Sequence, residues 1–496
     1  MARTVLAALD VHADRTPEAP AIDATTYGEL RRGIARVANR LAAAGVRAGD
    51  RLIIYAENRP GFIYTYLAGM RLGAVVVPAN VLYRAGELEH VIADAGARAI
   101  AVSEQSAPHL PPAAADLIRV PLAEVEAWFA DPAIPTAYPQ VEAAPGDVAI
   151  LIYTSGTTGR AKGAMLTHGN LGAIAAQVNA AWHWTAADRL LLTLPLFHVH
   201  GLGAGLNGTL AAGGALTLRE RFDAGFAIDL LARGEATMFF GVPTMYVRFL
   251  EQAPPGTRFD RVRLFVSGSA ALPASVHENF EATFGASILE RYGSTEFGFA
   301  LGNRYAGPRF AGTVGFPLPD VRVRLDGFDP AEPTAAGEVL VSGPNVCVGY
   351  WNDPQKTADA FVHDAAGARW FKSGDLATFD PERGYTICGR LKDLIISGGF
   401  NIYPSEVEDE LLRVPGVRAG AIVGRPDDAR GEVPVAFIEA DDPFDAAIVI
   451  ETMRDRLASF KVPKAVYRLD ALPRNAMGKV EKTRLRAMLA DGLAPA

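Results

Sequence analysis

An alternation of apolar runs with amphipathic helices is the feature that most restricts how this chain can fold. The stretch TYGELRRGIARVANRLAAAG at 26–45 places apolar residues at three- and four-residue intervals, with a capping-box pair at Thr26 and Glu29 and a glycine stop at Gly45. The run RLIIYA at 51–56 follows as a buried strand, and an apolar helix and a second short strand come after it. This order predicts a parallel sheet with crossover helices.

Three later strand-like runs end in small or polar residues. They are AILIYT at 149–154, TMFFG at 237–241 and RLFVSGS at 263–269. Ligands of open α/β sheets bind at the carboxyl ends of the strands. We therefore predict the functional site at these three ends.

The pattern changes in the last third of the chain. VRVRL at 321–325 and EVLVSGP at 338–344 alternate like strands of a more antiparallel, partly exposed sheet. Near residue 392 a further segment begins, with a helix over YPSEVEDELLRV whose Pro404 suits the first turn, followed by two strand-like runs. This last segment is predicted to be a compact α+β unit.

Length and composition limit the class of protein. The 496 residues exceed the roughly 100 to 200 residues of one domain, so we predict a large domain over 1–391 and a small one over 392–496. With 49% hydrophobic residues, 21% charged residues and a formal net charge of -8, the chain is typical of a soluble protein without affinity for nucleic acid or anionic membranes. The sequence contains no run of roughly 18 apolar residues, so no membrane span is predicted.

The expected compartment is the cytoplasm. Asp10, His12 and Asp14 interrupt the early apolar run that a signal peptide would need. Cys347 and Cys388 are far apart and lack metal-type spacing, so we expect two reduced thiols.

The loop YTSGTTGRAKGAMLTH at 153–168 has the composition of a phosphate-binding loop. It is not a Walker loop, because Ala161 stands where the second glycine belongs and Gly163, not serine or threonine, follows Lys162. Its glycines can turn backbone N–H groups inward, and its hydroxyls and its lysine add donors and charge. A flexible surface turn would have the same composition, so the loop alone leaves both interpretations open.

Four motifs follow the loop in a fixed order. They are YGSTE at 292–296, SGDL at 373–376, GRLKDLIISGGFNIYPSEVE at 389–408 and PRNAMGKVEK at 473–482. Together with the loop they resemble the adenylate-forming superfamily of acyl-CoA synthetases, firefly luciferase and peptide-synthetase adenylation domains. The resemblance runs from about residue 10 to about residue 485. It implies an α/β fold with a large N-terminal domain of two α/β subdomains plus a β-barrel, and a small mobile α+β C-terminal domain.

The resemblance also implies the cofactors and the nucleotide-side residues. ATP contacts are implied at Thr154, Ser155, Gly156, Thr157, Thr158, Gly159, Lys162, Ser269, Ala270, Ala271, Tyr292, Gly293, Thr295, Asp375 and Arg390. Among them, Tyr292 would pack on the adenine and Asp375, assisted by Arg390, would bind the ribose hydroxyls. Glu296 would hold Mg²⁺, which suits an ion that uses one or two carboxylates plus phosphate oxygens. Thr295 and Glu296 join Lys479 as the implied catalytic residues.

The C-terminal motifs imply two half-reactions in one pocket. Lys479 would stabilise the negative charge that develops as a carboxylate attacks the α-phosphate, a stabilisation greater in the transition state than in the ground state. Because Lys479 lies on the small domain, domain closure must bring it to the site. Rotation about the hinge position Lys392 would then replace it with the loop of Ser397, Gly398 and Gly399, which leaves room for the pantetheine arm of coenzyme A.

The acyl substrate is indicated by two segments. In LPLFHVHGLGAGLNGTL at 194–210, the resemblance places His198 beside the substrate carboxylate, and His200 is a second histidine of the same segment. Asn207 and Thr209 in this segment are polar pocket candidates, as is Arg309 outside it. ERYG at 290–293 resembles the malonyl-CoA synthetase subgroup. A buried guanidinium is costly without an anionic partner, so Arg291 predicts a second carboxylate on the substrate, which favours malonate and admits methylmalonate.

Other interpretations stay open at this point. Arg291 could pair with Glu290 or another acid while the pocket takes a fatty-acyl or aromatic acid. A stand-alone adenylation enzyme would load a carrier protein in place of coenzyme A. A non-catalytic nucleotide-binding relative is opposed by the presence of Lys479, Glu296 and Asp375.

Overall fold

A computed structural model describes residues 4–154, 161–327, 336–398, 400–475 and 478–495. The fold class is α/β as predicted, with four β-sheets in these ranges. The helices are α1 (Val5–Arg15), α2 (Tyr27–Ala43), α3 (Pro60–Arg71), α4 (Ala85–Ala95), α5 (Leu122–Ala130), α6 (His168–Ala181), α7 (Gly208–Ala212), α8 (Ala224–Ala232), α9 (Pro243–Gln252), α10 (Ala274–Phe284), α11 (Pro354–Ala360), α12 (Pro404–Leu411), α13 (Ala446–Arg454) and α14 (Lys482–Ala490). Short 3₁₀ turns span Ala107–His109, Pro112–Asp116 and Leu391–Asp393, and a π-helix spans His200–Asn207.

The strands follow the same chain order. They are β1 (Pro20–Ile22), β2 (Thr25–Thr26), β3 (Arg51–Tyr55), β4 (Val75–Ala79), β5 (Ala99–Val102), β6 (Ile118–Pro121), β7 (Val148–Thr154), β8 (Lys162–Thr167), β9 (Arg189–Leu192), β10 (Ala215–Leu218), β11 (Met238–Gly241), β12 (Leu264–Ser267), β13 (Ile288–Tyr292), β14 (Leu301–Gly302), β15 (Phe316–Pro317), β16 (Arg322–Asp326), β17 (Gly337–Ser342), β18 (Gly349–Tyr350), β19 (Phe361–His363), β20 (Arg369–Asp380), β21 (Gly384–Arg390), β22 (Ile395–Ser397), β23 (Phe400–Ile402), β24 (Val417–Asp427), β25 (Gly431–Ala440) and β26 (Val466–Arg468).

Helix α2 shows why the predicted elements form. The Thr26 backbone N–H donates to the Glu29 carboxylate at 2.9 Å, and the Glu29 N–H donates to the Thr26 hydroxyl at 3.3 Å, so the predicted capping box is complete. The residues at three- and four-residue spacing are fully buried; they are Leu30, Ile34, Val37 and Leu41. The chain turns out of the helix at Gly45, whose φ of 105° favours glycine.

Two large sheets form the first two layers. One has seven strands in the order β18-β8-β7-β4-β3-β5-β6, and the other has nine in the order β15-β14-β13-β12-β11-β9-β10-β1-β2. Within them β3, β4, β5 and β7 are parallel, and so are β9 to β13, which confirms the predicted parallel pairing with crossover helices. The parallel strands of the second sheet place the carboxyl ends of β9, β11, β12 and β13 side by side.

The remaining sheets are smaller. The expected barrel region is a five-stranded antiparallel sheet of β16, β17, β19, β20 and β21. The last sheet contains β22 to β26 and packs with α12 and α13 around a core of its own, built from residues after 394. Helix α12 begins at Pro404, as predicted. In the described ranges no helix has the length and hydropathy needed to cross a bilayer.

Candidate active site

The nucleotide side of the site is a hydrogen-bonded group that joins β13 to the antiparallel sheet. At the end of β13 the Tyr292 hydroxyl donates to Asp375 at 2.6 Å. Arg390 lies opposite Asp375 in the β20–β21 register, and its Nε is 2.6 Å from the other carboxylate oxygen. Burial and the neighbouring Asp375 raise the pKa of Tyr292 well above its ordinary value, so the phenol remains a donor. The three residues predicted for adenine and ribose are therefore in direct contact.

The predicted magnesium ligand lies beside this group. One carboxylate oxygen of Glu296 accepts from the Tyr350 hydroxyl at 2.9 Å and the other accepts from the Ser294 hydroxyl at 2.9 Å. Thr295, which lies between Ser294 and Glu296 in the sequence, is buried. Gly293 is required at the turn, because a Cβ there would lie 1.9 Å from the carbonyl oxygen of Gly298.

Glycine at 293 thus lets the YGSTE segment fold back on itself. Tyr350 is a site residue that the sequence reasoning missed. Its strand β18 pairs with β8 in the seven-stranded sheet, which brings it to Glu296 across 54 positions of sequence. No recognised motif marks the segment GYWN around it.

The phosphate-loop candidates border this position. Thr154 ends β7 and pairs with Lys162 at the start of β8, and the Lys162 ammonium lies 5.9 Å from the centroid of the Tyr350 ring. The predicted loop residues Ser155, Gly156, Thr157, Thr158 and Gly159 lie outside the described residues, as does Gly399 of the predicted coenzyme A loop.

Lys479 reaches the nucleotide side from the small domain. The preceding Gly478 lies against α9 of the large domain, since a Cβ built on it would be 3.5 Å from the Thr244 hydroxyl. Crowding by protein and the nearby Arg390 lower the pKa of Lys479, whereas Asp375 raises it. The side chain remains exposed to solvent although protein groups crowd it.

The hinge and coenzyme A candidates lie at the start of the small domain. Lys392 is exposed in the 3₁₀ turn Leu391–Asp393. Ser397 is buried at the end of β22, and the Gly398 N–H, at a φ of 58°, donates to the Arg430 carbonyl at 2.8 Å. Ile396 and Phe400 on the same hairpin are 53% and 57% exposed, so the hairpin presents apolar side chains to solvent.

The acyl side is built around Arg291. Its guanidinium is buried and lies so close to Gly268 that a Cβ there would be 2.3 Å from Nε, which explains a glycine directly after β12. The ring of Phe299 is 4.5 Å from the guanidinium carbon. Burial is the main cause that lowers the pKa of Arg291 to about 9.

Arg291 has no carboxylate partner in the ranges that the structure describes. Glu290 is the adjacent residue of β13, so the two side chains leave opposite faces of the strand. The Glu290 carboxyl instead accepts from the Leu272 N–H at 3.1 Å. The Arg291 Nε–H has no acceptor among the described atoms. The predicted alternative of an Arg291–Glu290 ion pair is therefore not what the geometry gives.

A short chain of polar contacts links Arg291 to the two histidines. Arg291 Nη2 donates to the Ser269 hydroxyl at 3.2 Å, and that hydroxyl is 3.3 Å from His200 Nδ1. The His200 backbone N–H donates to His198 Nδ1 at 3.2 Å. Burial and the Arg291 charge lower the pKa of His198 to about 4. Burial, Arg291 and His198 lower the pKa of His200 well below its ordinary value, so both rings are neutral at pH 7.

The contacts of Ser269 differ from its predicted role. Its side chain lies on the acyl side, while Ala270 and Ala271 continue the chain toward α10. Its predicted part in adenine binding stays a prediction.

The remaining acyl candidates are held by other groups. Asn207 shares hydrogen bonds with Tyr66, at 3.0 and 3.3 Å, and the Thr209 hydroxyl donates to the Gly205 carbonyl at 2.6 Å. Arg309 donates to the carbonyls of Ser287 and Tyr305, at the amino end of β13 and away from the ligand end. The structure does not bring these three to Arg291.

Comparison with known proteins identifies the family. Residues 9–351 match the AMP-binding enzyme family and residues 406–479 match the AMP-binding enzyme C-terminal domain. The chain belongs to the AMP-binding enzyme family. Members that resemble it include a feruloyl-CoA synthase of an Amycolatopsis species, 39% identical with 93% of this chain and 94% of the relative covered. The mitochondrial malonate–CoA ligase of Mus musculus is 33% identical, with 90% of this chain and 83% of the relative covered.

A solved AMP-binding enzyme has the same architecture. The ATP-bound crystal structure of MatB from Rhodopseudomonas palustris matches with a TM-score of 0.90 at 36% identity, over 100% of each chain. The apo form of the same protein gives a TM-score of 0.78. The large N-terminal and small C-terminal domains of the expected fold are thereby confirmed. This AMP-binding enzyme is an acid–thiol ligase that uses ATP and coenzyme A on a small-molecule carboxylic acid.

Proposed function

We propose that this enzyme is a malonyl-CoA synthetase that also accepts methylmalonate. The observation that carries the proposal is the buried guanidinium of Arg291, which has no anionic partner among the described side chains. A second carboxylate on the substrate supplies that partner, and two neutral histidines beside it add hydrogen-bond capacity without repelling a dicarboxylate. The similarity to a malonate–CoA ligase supports the same substrate.

In the proposed first half-reaction, a substrate carboxylate oxygen attacks the α-phosphorus of ATP. The bond from that phosphorus to the bridging oxygen breaks, and acyl-AMP and pyrophosphate form. Lys479 would hold the charge that gathers between the two anions, while Thr154, Lys162 and the loop between them would hold the departing phosphates. Asp375, Arg390 and Tyr292 would fix the nucleoside, because they already form one hydrogen-bonded unit.

The donor set at Glu296 fits Mg²⁺. Its carboxylate contacts only neutral hydroxyl oxygens, those of Tyr350 and Ser294, among the described groups, and all three are hard oxygen donors. Glu296 would hold the ion, and Thr295 would contact the phosphates beside it. A bound Mg²⁺ would supply neutralisation of the triphosphate charge.

In the proposed second half-reaction, the coenzyme A thiol releases its proton to solvent and its sulfur attacks the acyl carbon. The bond to the AMP oxygen then breaks, which releases acyl-CoA and AMP. The small domain, 392–496, would turn about Lys392 so that Ser397, Gly398 and Gly399 replace Lys479 in the cleft.

An aromatic-acid CoA ligase is the second candidate. Two observations favour it: the 39% identity to a feruloyl-CoA synthase, and the aromatic rings around the pocket. Phe240 stacks on His200 with centroids 6.0 Å apart, and Phe299 meets the same ring edge-on at 5.9 Å. An aromatic acid would use these walls and leave Arg291 without an anion.

A substrate panel separates the two candidates. Coenzyme A-dependent AMP release is measured with malonate, methylmalonate, octanoate, benzoate and ferulate. We expect malonate to have the highest kcat/KM, and an enzyme that turns over ferulate or octanoate but not malonate would refute the proposal. Arg291→Met should lower kcat/KM for malonate about 100-fold, because a charged hydrogen bond contributes up to about 3 kcal/mol of binding free energy. The kcat/KM for propionate, which has no second carboxylate, should change little. Arg304→Met, at an exposed arginine that stacks on Phe316, is the control.

A further inference from the structure

Lys479 is surrounded by charged groups that are already paired with one another. Arg390 holds Asp375 at 2.6 Å, Lys482 holds Glu408 at 2.7 Å, and Arg486 holds Asp393 at 2.7 Å. Within the described part of the chain the Lys479 ammonium itself has no ion pair and no hydrogen bond. Arg390 and Lys482, the two cations whose charge reaches it, are occupied, and so is Arg486, which holds the neighbouring Asp393; the lysine needed for chemistry is free.

Helix α14 produces part of this arrangement. It begins three residues after Lys479, and Lys482 and Arg486 lie one turn apart on one face of it. That face meets Glu408 on α12 and Asp393 in the turn directly after the hinge position Lys392. The pairing therefore fixes the last helix to the beginning of the small domain.

Asp393 is a competitor for the Lys479 ammonium. Its side chain is only 12% exposed, so a carboxylate there needs a cation. Its charge reaches Lys479, because Asp375 and Asp393 are the two acids that raise the pKa of that lysine. Asp375 is neutralised by Arg390, and Asp393 is neutralised by Arg486.

We propose that Arg486 is a positioning residue for acyl-AMP formation: by holding the hinge-side carboxylate of Asp393, it keeps the Lys479 ammonium free to face the substrate carboxylate and the α-phosphate. The inference rests on the proposed role of Lys479. An arginine suits the task because its guanidinium stays protonated at every physiological pH. Without it, Asp393 takes Lys479 as its partner and draws the ammonium away from the nucleotide.

The test separates the two half-reactions in Arg486→Gln. Acid-dependent exchange of pyrophosphate into ATP reports the first step, and thioester formation from supplied acyl-AMP reports the second. We expect exchange to fall at least about tenfold, since small displacements of a catalytic group have effects of this size or more, and the second step to stay near the wild-type rate. Arg484→Gln, on the same helix but in an exposed pair with Glu481, is the matched control and should change neither rate.

The double variant Asp393→Asn/Arg486→Gln makes the test specific. Removal of the competing carboxylate should restore exchange to within about threefold of wild type, as Arg486→Lys should by keeping the charge. A merely structural ion pair would show no such rescue, because the double variant lacks both partners. Unchanged exchange in Arg486→Gln, or a double variant as slow as the single one, would overturn the inference.

Thermal unfolding of each variant shows that the compared proteins are folded. A wrong role for Lys479 and a wrong role for Arg486 would give different results. If Lys479→Ala exchanges pyrophosphate as fast as wild type, the role of Lys479 is wrong. If Lys479→Ala is slow and Arg486→Gln is not, only the role of Arg486 is wrong.

Discussion

The nucleotide side and the acyl side of the cleft solve the problem of buried polar groups in opposite ways. On the nucleotide side, Asp375 receives hydrogen bonds or an ion pair from Tyr292 and Arg390, and Glu296 receives hydrogen bonds from two hydroxyls. On the acyl side, buried atoms of Arg291 and His200 lack partners among the described residues. One side is complete without substrate, and the other is not.

This difference explains what each side can select. A network whose members satisfy one another is stable before ATP binds, and it offers the same geometry to any acid that the enzyme activates. A buried cation without a partner has an unfavourable free energy that an anionic substrate group offsets and a neutral one does not. Such a cation therefore discriminates between acids.

Lys479→Ala should have the largest effect. Removing a preorganised charge from the developing transition state typically costs about 10² to 10³ in rate, so acid-dependent pyrophosphate exchange should fall by that factor. Thioester formation from supplied acyl-AMP should remain, because in the proposed second step the loop at Ser397 has replaced Lys479. An equal loss in both steps would contradict the proposed division of labour.

Asp375→Asn should break the complete side. It removes a charged partner of Arg390 and one acceptor of the ribose, and charged hydrogen bonds contribute about 1.5 to 3 kcal/mol, so kcat/KM for ATP should fall about 10- to 100-fold. The KM for malonate should change little. Asp380→Asn is the matched control, since Asp380 ends the same strand and, among the described groups, accepts only from the N–H groups of Glu382 and Arg383.

Arg291→Met should stabilise the ligand-free protein. Replacing an unpaired buried cation by an apolar side chain of similar length should raise the free energy of unfolding by about 2 kcal/mol, as seen when buried charges are exchanged for packed apolar groups. Arg263→Met is the matched control with the opposite sign. Arg263 is paired with the buried Asp188 at 2.6 and 2.7 Å, so its loss should destabilise.

Denaturant unfolding with and without malonate measures both variants. Malonate should stabilise the wild type and not Arg291→Met. Destabilisation by Arg291→Met would show that the guanidinium already has an adequate partner, and the contrast between the two sides would be lost.

Local patterns predicted much of this fold. The capping box at Thr26, the helix start at Pro404 and the strands that end at the site follow from rules that act within a few residues. The motifs implied that Tyr292, Asp375 and Arg390 serve one nucleotide, and the structure places the three in contact with one another. Such features can be predicted because the residues that determine them lie within one short motif.

The acyl side was less predictable because long-range packing decides it. Asn207 and Thr209 look like pocket residues in sequence, yet a π-helix over His200–Asn207 turns Asn207 toward Tyr66, 141 positions away. Tyr350 had no local signal and becomes the partner of Glu296 only through strand pairing. Whether Arg291 has an anionic partner depends on all the elements packed around it, and these come from segments that are far apart in the sequence.

Glu290→Gln gives the smallest and most specific test. Burial is the main cause that raises the pKa of Glu290 from 4.5 to about 8; the hydrogen bond from the Leu272 N–H and the charge of Arg291 oppose the shift, and Asp409 adds to it. Between pH 4.5 and 8 the Glu290 carboxyl is therefore protonated in the folded state and ionised in the unfolded chain. Its contribution to the free energy of unfolding is complete below pH 4.5 and is lost as the pH rises to 8. The histidines whose pKa is lowered act in the other direction, but only below their ordinary value of 6.5. Between pH 6.5 and 8 the wild type should thus lose about 1.4 kcal/mol of unfolding free energy per pH unit, and Glu290→Gln, which keeps the oxygen that accepts from Leu272, should not. Unfolding curves of both proteins across that range decide the matter: parallel curves would mean that Glu290 is already ionised beside Arg291, and the acyl side would then contain its own anion.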